Sequence, residues 1–125
     1  MIGKDDRLIK IAFFNTKLNV LLGKEYETFP IYKSKGLMAH LINRKHYAAV
    51  KYIDNLPDII RQPDFIGIHN DSIELVKCYK DNIFICVKLD SSRSKYYVAT
   101  MFDIKQSKIE SYVRSGRRIK VDAKK

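Results

Sequence analysis

Two of the three histidines, His40 and His46, stand in one segment, SKGLMAHLINRKHYAAV. An imidazole titrates near neutrality, so it can take up a proton and give one back, which is general acid and base work at a phosphodiester. On a straight helix turning about 100° per residue, His46 falls at the edge of the apolar stripe, near Ile42 and Val50. From there it looks into a cleft between helix and sheet. His40 falls on the opposite side with Arg44, Tyr47 and Lys51, a basic and solvated face. Two histidines so placed meet at one phosphate only if the helix breaks between Asn43 and His46. Without that break they read as a boundary histidine and a surface histidine.

Metal-free phosphodiester cleavage needs a third part, a cation or hydroxyl that steadies charge on the phosphorane. Lys88 is the candidate cation. In the strand-like run Ile83–Leu89 it shares parity with Phe84 and Cys86, while Ile83, Ile85, Val87 and Leu89 alternate to the other face. Thr100 is a candidate hydroxyl, although YYVATMF is too apolar on both sides to assign its face. The simpler readings are a solvated lysine and an ordinary strand threonine. Glu74 suits a loop amide or a base edge, or simply a solvated edge strand. Arg114, Arg117, Arg118 and Lys120, with Tyr112 beside them, can grip phosphates or form a solvated tail. His69, in GIHNDS, reads as a loop residue. No P-loop, GxSxG, HExxH or paired-carboxylate motif appears.

The chain has 125 residues, 24 Lys+Arg against 14 Asp+Glu and a formal charge of +10. Such a field concentrates polyanions, whether RNA, DNA or an acidic membrane surface. The length suits one domain with a real core. Cys78 and Cys86 lack partners at zinc spacing, so no metal or other cofactor is expected; they read as buried thiols of a reducing compartment, the alternative being one disulfide between neighbouring strands. The acids in MIGKDDRLIKIAFF do not suit a signal peptide, and Lys17 interrupts an apolar stretch too short to span a bilayer. These features set the expectation of a cytoplasmic protein with no membrane partner.

The elements that must position these residues follow from periodicity. Asp6–Leu22 carries a moderate helical pattern with a break near Asn15, closed by Gly23. A loop with an extended piece at Phe29–Tyr32 comes next. A helix capped by Ser34 carries Met38, Leu41, Ile42, Ala49, Val50, Ile53 and Leu56 as one stripe. Pro57 opens a further turn that stops before Pro63. Strand chemistry then takes over at Phe65–His69, Ile73–Tyr79, Ile83–Leu89 and Tyr96–Phe102. The third is apolar on both faces and so should be central. A short helix with Ile104, Ile109 and Val113 inward ends at Gly116, and a basic, frayed tail follows. The expected class is α+β, with N-terminal helices packed on a roughly four-stranded antiparallel sheet and a short C-terminal helix. The expected division is a helical and loop extension over 1–33, the main domain over 34–120, and a basic tail over 121–125.

The segments GLMAHLINRKH, LPDIIRQPDFIG, SIELVKCYKDNIFICVKLD, YYVATMFDIKQSKI and SGRRIK, in that order, resemble a phage- and mobile-element-associated branch of the Barnase–EndoU–colicin–RelE nucleases. The likeness runs from about Gly36 to Lys120 and is loose before that. It implies a two-helix, four-strand fold and metal-independent endoribonuclease action on RNA, tRNA among the candidates. Attack by the 2′-OH would leave a 2′,3′-cyclic phosphate. Carried over by position, the implied catalytic set is His46, His40, Lys88 and Thr100, with Arg117 and Glu74 at motif positions. Arg44, Arg114 and Arg118 join them as candidate substrate contacts. A toxin role would add an acidic immunity protein as partner. The competing reading is a basic module that binds nucleic acid and cleaves nothing.

Overall fold

The run NIFICVKLD is apolar on both faces as far as Val87, and a strand of that kind must be covered on both sides. The computed structural model, which describes residues 8–90 and 94–121, places it at the middle of a seven-stranded sheet. The strands are β1 (Leu8–Phe13), β2 (Pro30–Ser34), β3 (Phe65–His69), β4 (Ser72–Cys78), β5 (Asn82–Asp90), β6 (Lys95–Asp103) and β7 (Ile119–Lys120). Their order across the sheet is β1-β2-β6-β5-β4-β3-β7. β2 runs parallel to β6, and every other neighbouring pair is antiparallel. The expected four strands form the β3–β6 meander; β1, β2 and β7 extend it to a mixed sheet.

The helices are α1 (Asn19–Leu22), α2 (Leu37–Asn43), α3 (Tyr47–Val50), α4 (Leu56–Arg61) and α5 (Gln106–Arg114). Leu37, Leu41, Ala49, Ile53, Leu56, Ile59 and Ile60 pack on Ile66, Ile73, Leu75, Ile85, Val87, Val98 and Met101 to form the main core. Each fully buried Leu, Ile, Val or Met among them contributes about 1.5–3 kcal/mol through the area it removes from water. On the opposite face α5 lays Ile109 on Val76, Phe84 and Cys86, with Phe65, Phe102 and Ile104 around them. Because α5 is short, it covers only part of that face.

Several sequence expectations are corrected. The N-terminal segment is not helical from the start: Leu8–Phe13 is a strand, pairing Leu8 with Ser34 and Phe13 with Pro30. Its β-branched and aromatic residues gain a sheet partner, and tertiary pairing overrides the helical spacing. Helical turns do follow Asn15, whose side chain caps Thr16–Leu18, and Gly23 stops α1 at φ 67°. The long helix from Ser34 to Leu56 is instead α2, a break, α3, a 3-10 turn at Ile53–Asn55 and α4. Met38 and Ile42 are therefore exposed rather than in the stripe. Gly36, not Ser34, is the N-cap of α2, and the Ser34 Oγ accepts from the Gly36 amide at 3.0 Å. Cys78 is exposed and Cys86 buried, and both are free thiols. The segment after Gly116 is not frayed: Ile119 and Lys120 pair with β3, and Arg118 is buried. Residues 122–125 of the expected tail lie outside the described residues.

Candidate active site

The register of the meander sorts the side chains of the half-covered face into rows. Cross-strand partners share a face, and alternate residues along a strand return to it. Phe65, Val76, Phe84 and Phe102 make the first row, beneath α5. Gly67, Glu74, Cys86 and Thr100 make the second. His69 and Ser72, paired across β3 and β4, come next on that face, and Lys88 and Tyr97 pair across β5 and β6. Along β5 the change from Phe84 and Cys86 to Lys88 therefore marks where the face passes from covered to open.

Thr100 reaches this face because β6 carries a bulge. Cys86 pairs with Thr100 and Val87 with Val98, so Ala99 is the extra residue. Were Ala99 paired in a regular ladder, Val98 and Thr100 would face the same way. With the bulge Val98 stays in the core, 3% exposed, while Thr100 turns to the side of Cys86.

His46 comes to the edge of the same face through the end of α2. Arg44 is the C-cap, Lys45 is left-handed at φ 62°, the Lys45 amide donates to the Ile42 carbonyl, and the His46 amide donates to the Leu41 carbonyl at 2.8 Å. This is a Schellman closure made without glycine. It turns the chain so that the His46 ring lies 5.7 Å from the Phe102 ring, half-buried. The straight helix that set His40 and His46 on opposite sides does not exist. His40 remains exposed on α2, and Arg44 is exposed at its end. The structure thus puts Thr100, Lys88 and Glu74 on one face and His46 beside Phe102 at its edge, and leaves His40, Arg44 and Arg114 exposed on the helices.

Arg117 and Arg118 are not free phosphate grips. Glu74 is 4% exposed, and the Arg117 Nε donates to its Oε1 at 3.1 Å and the Nη2 to its Oε2 at 2.7 Å. The Arg118 Nε donates to the same Oε1 at 3.3 Å. The Tyr112 ring lies 4.3 Å from the Arg117 guanidinium and 4.4 Å from that of Arg118, which also sits 4.7 Å from the Phe84 ring. The bonds to Glu74 push the Arg117 pKa up, whereas burial pulls that of Arg118 down. Among the described residues the buried Arg118 Nη1 has no hydrogen-bond partner. One carboxylate facing two guanidiniums leaves a positive balance behind the face. Gly67 permits this closure, since a Cβ there would collide with the Arg117 carbonyl oxygen and lie 3.3 Å from the Arg118 Cα.

A cleft of about 500 Å³ opens on this face, lined by His69, Ser72, Glu74, Cys86 and Lys88, together with Asn70, Asp71 and Leu89. His69, read from sequence as a loop residue, ends β3 and lines the cleft with Lys88. Its period-2 spacing from Phe65 and Gly67 was the available signal. Among the described residues no group of three or more His, Cys, Asp or Glu is placed to hold a metal ion. No helix among them is long and apolar enough to cross a membrane.

No curated protein and no solved structure matches the chain. A family model does match, across residues 9–111, from within β1 to within α5. By that match the chain belongs to the phage-Barnase-EndoU-ColicinE5/D-RelE like nuclease 3 family, and its chemistry is that of a nuclease.

Proposed function

We propose that this nuclease is an endoribonuclease that works without a metal, by attack of the 2′-OH on the adjacent phosphate to leave a 2′,3′-cyclic phosphate. The observation that supports the reading is that Lys88 and Thr100 share one sheet face, with the imidazole of His46 at its edge beside Phe102. His46 exchanges the proton, as base for the 2′-OH or acid for the leaving 5′-oxygen. His40, on α2 before the break, is the second candidate for the other transfer. Lys88 stabilises the charge on the phosphorane, and Thr100 donates to a non-bridging oxygen. Arg117, held by Glu74, adds a fixed positive charge at the rear of the face, and the net charge of +10 draws in the polyanion.

The test is incubation of the purified chain with total RNA in excess EDTA, followed by end-group analysis. The reading expects discrete fragments that end in cyclic phosphate. A substrate carrying 2′-deoxyribose at the cleavage position must resist. Cleavage of that substrate at the normal rate refutes attack by the 2′-OH. Folded protein that binds RNA with a steep salt dependence and never cleaves it would instead establish the basic binding module.

A further inference from the structure

The cleft beside Lys88 is larger than one phosphate needs and is chemically mixed. At about 500 Å³ it falls in the range of small-ligand sites. Its donor side is Lys88 and His69, from strands on either side of β4, with the buried hydroxyl of Ser72 between them. Its acceptor side is the Asn70–Asp71 turn, and Cys86 and Leu89 add apolar surface. The Glu74 carboxylate at the floor does not repel an anion, because two guanidiniums are bonded to it.

The turn itself is built in an uncommon way. Asn70 and Asp71 both hold left-handed backbone, φ 51° and 65°, in the two-residue hairpin joining His69 to Ser72. Such a turn favours Asn followed by Gly. Asp71 takes the glycine position at a backbone cost of about 1 kcal/mol, and so presents a carboxylate at the mouth of the cleft.

We propose that this cleft binds one nucleotide unit of the RNA beside the cleavage position. The phosphate lies between Lys88 and His69 over Ser72, and the base edge meets the Asn70–Asp71 turn. Asp71 is then a specificity residue, because its carboxylate accepts from amino and imino groups and rejects bases that present only acceptors there. The assignment to RNA rests on the ribonuclease reading above; the nucleotide site can be tested without cleavage.

The probe is each of the four nucleoside 3′-monophosphates, titrated into the ¹⁵N-labelled full chain, with inorganic phosphate as comparison. The expected result is saturable amide shifts at residues 69–72 and 88–89, unequal affinities among the four, and phosphate weaker than the best nucleotide by about tenfold or more. Lys88→Met and His69→Ala should each weaken nucleotide binding by about tenfold. Asp71→Asn should change the order of the four while leaving phosphate binding in place. All three positions are exposed, and the amide spectrum of each variant reports its fold directly. Shifts confined to other segments, equal affinity for all four, or phosphate binding as tightly as the nucleotides would overturn the proposal. Nucleotide binding here together with uncleaved RNA would sink the ribonuclease reading and leave the cleft standing. Cleaved RNA with no binding here would do the reverse.

Discussion

Cys86 and Thr100 oppose each other across β5 and β6 because Ala99 bulges out of register between Thr100 and Val98. The bulge thus lets Val98 stay in the core while Thr100, two residues on, shares a face with Lys88. Deleting Ala99 removes the bulge but leaves Thr100 next to Val98 and opposite Cys86, so cleavage should survive the deletion. Thr100→Val keeps shape and register and removes only the hydroxyl; it should lower kcat by about 100-fold with KM little changed. Steady-state kinetics on a short RNA substrate checks both. A Thr100→Val enzyme with wild-type kcat would remove Thr100 from the site.

Glu74 is the carboxylate on which two guanidiniums depend. Glu74→Gln leaves the Arg118 charge buried with its partner neutralised, and breaking a buried pair in this way costs about 3–5 kcal/mol. Urea unfolding of the variant against wild type measures the loss. A change under about 1 kcal/mol would show that the arginines are solvated in solution.

Gly67→Ala tests the close approach behind the same cluster. The added methyl meets the Arg117 carbonyl, so the segment from Arg117 to Lys120 must shift off β3. The expected cost is about 1–3 kcal/mol, together with faster amide exchange at Ile119 and Lys120. Unchanged stability would mean that the segment sits elsewhere in solution.

Much of this architecture is legible locally. Phe65–His69 has the bounds that its alternation and the Pro63-Asp64 turn predict, and the two-faced apolarity of Ile83–Val87 marks the central strand. Parity alone puts Lys88 on the face of Phe84 and Cys86. What the sequence conceals is set by distant partners. Leu8–Phe13 looks helical until β2 is available to pair with it. The break before His46 carries no glycine or proline, because a lysine accepts the left-handed position. Arg118 reads as tail because the carboxylate that buries it lies 44 residues away. The face of Thr100 depends on a bulge that no local pattern announces.

Lys45 offers a direct check on how His46 is held. Its φ of 62° strains any side chain, so Lys45→Gly should be neutral or stabilising by up to about 1 kcal/mol. A β-branched residue is worse suited to that region, so Lys45→Val should destabilise by about 1–2 kcal/mol and depress cleavage through misplacement of His46. Thermal melts and cleavage rates of the two variants should separate in that order. Equal behaviour would mean that α2 runs on through His46.

Binding should depend steeply on salt, since the chain meets its polyanion through lysines and arginines. For single-stranded RNA, each phosphate contact contributes about −0.7 to the slope of log K against log salt. Lys88→Met should therefore flatten the slope by about 0.7. An unaltered slope would place Lys88 outside the phosphate path.

The measurement that bears most directly on the account is the rate of RNA cleavage in excess EDTA by wild type, His46→Ala and Lys88→Met, with Lys24→Ala, an exposed position before β2, as control. The account predicts cyclic-phosphate fragments from wild type and the control, and rates at least about 100-fold lower from the other two. Wild-type rates from folded His46→Ala and Lys88→Met would contradict it, because the chemistry would then lie off this sheet face.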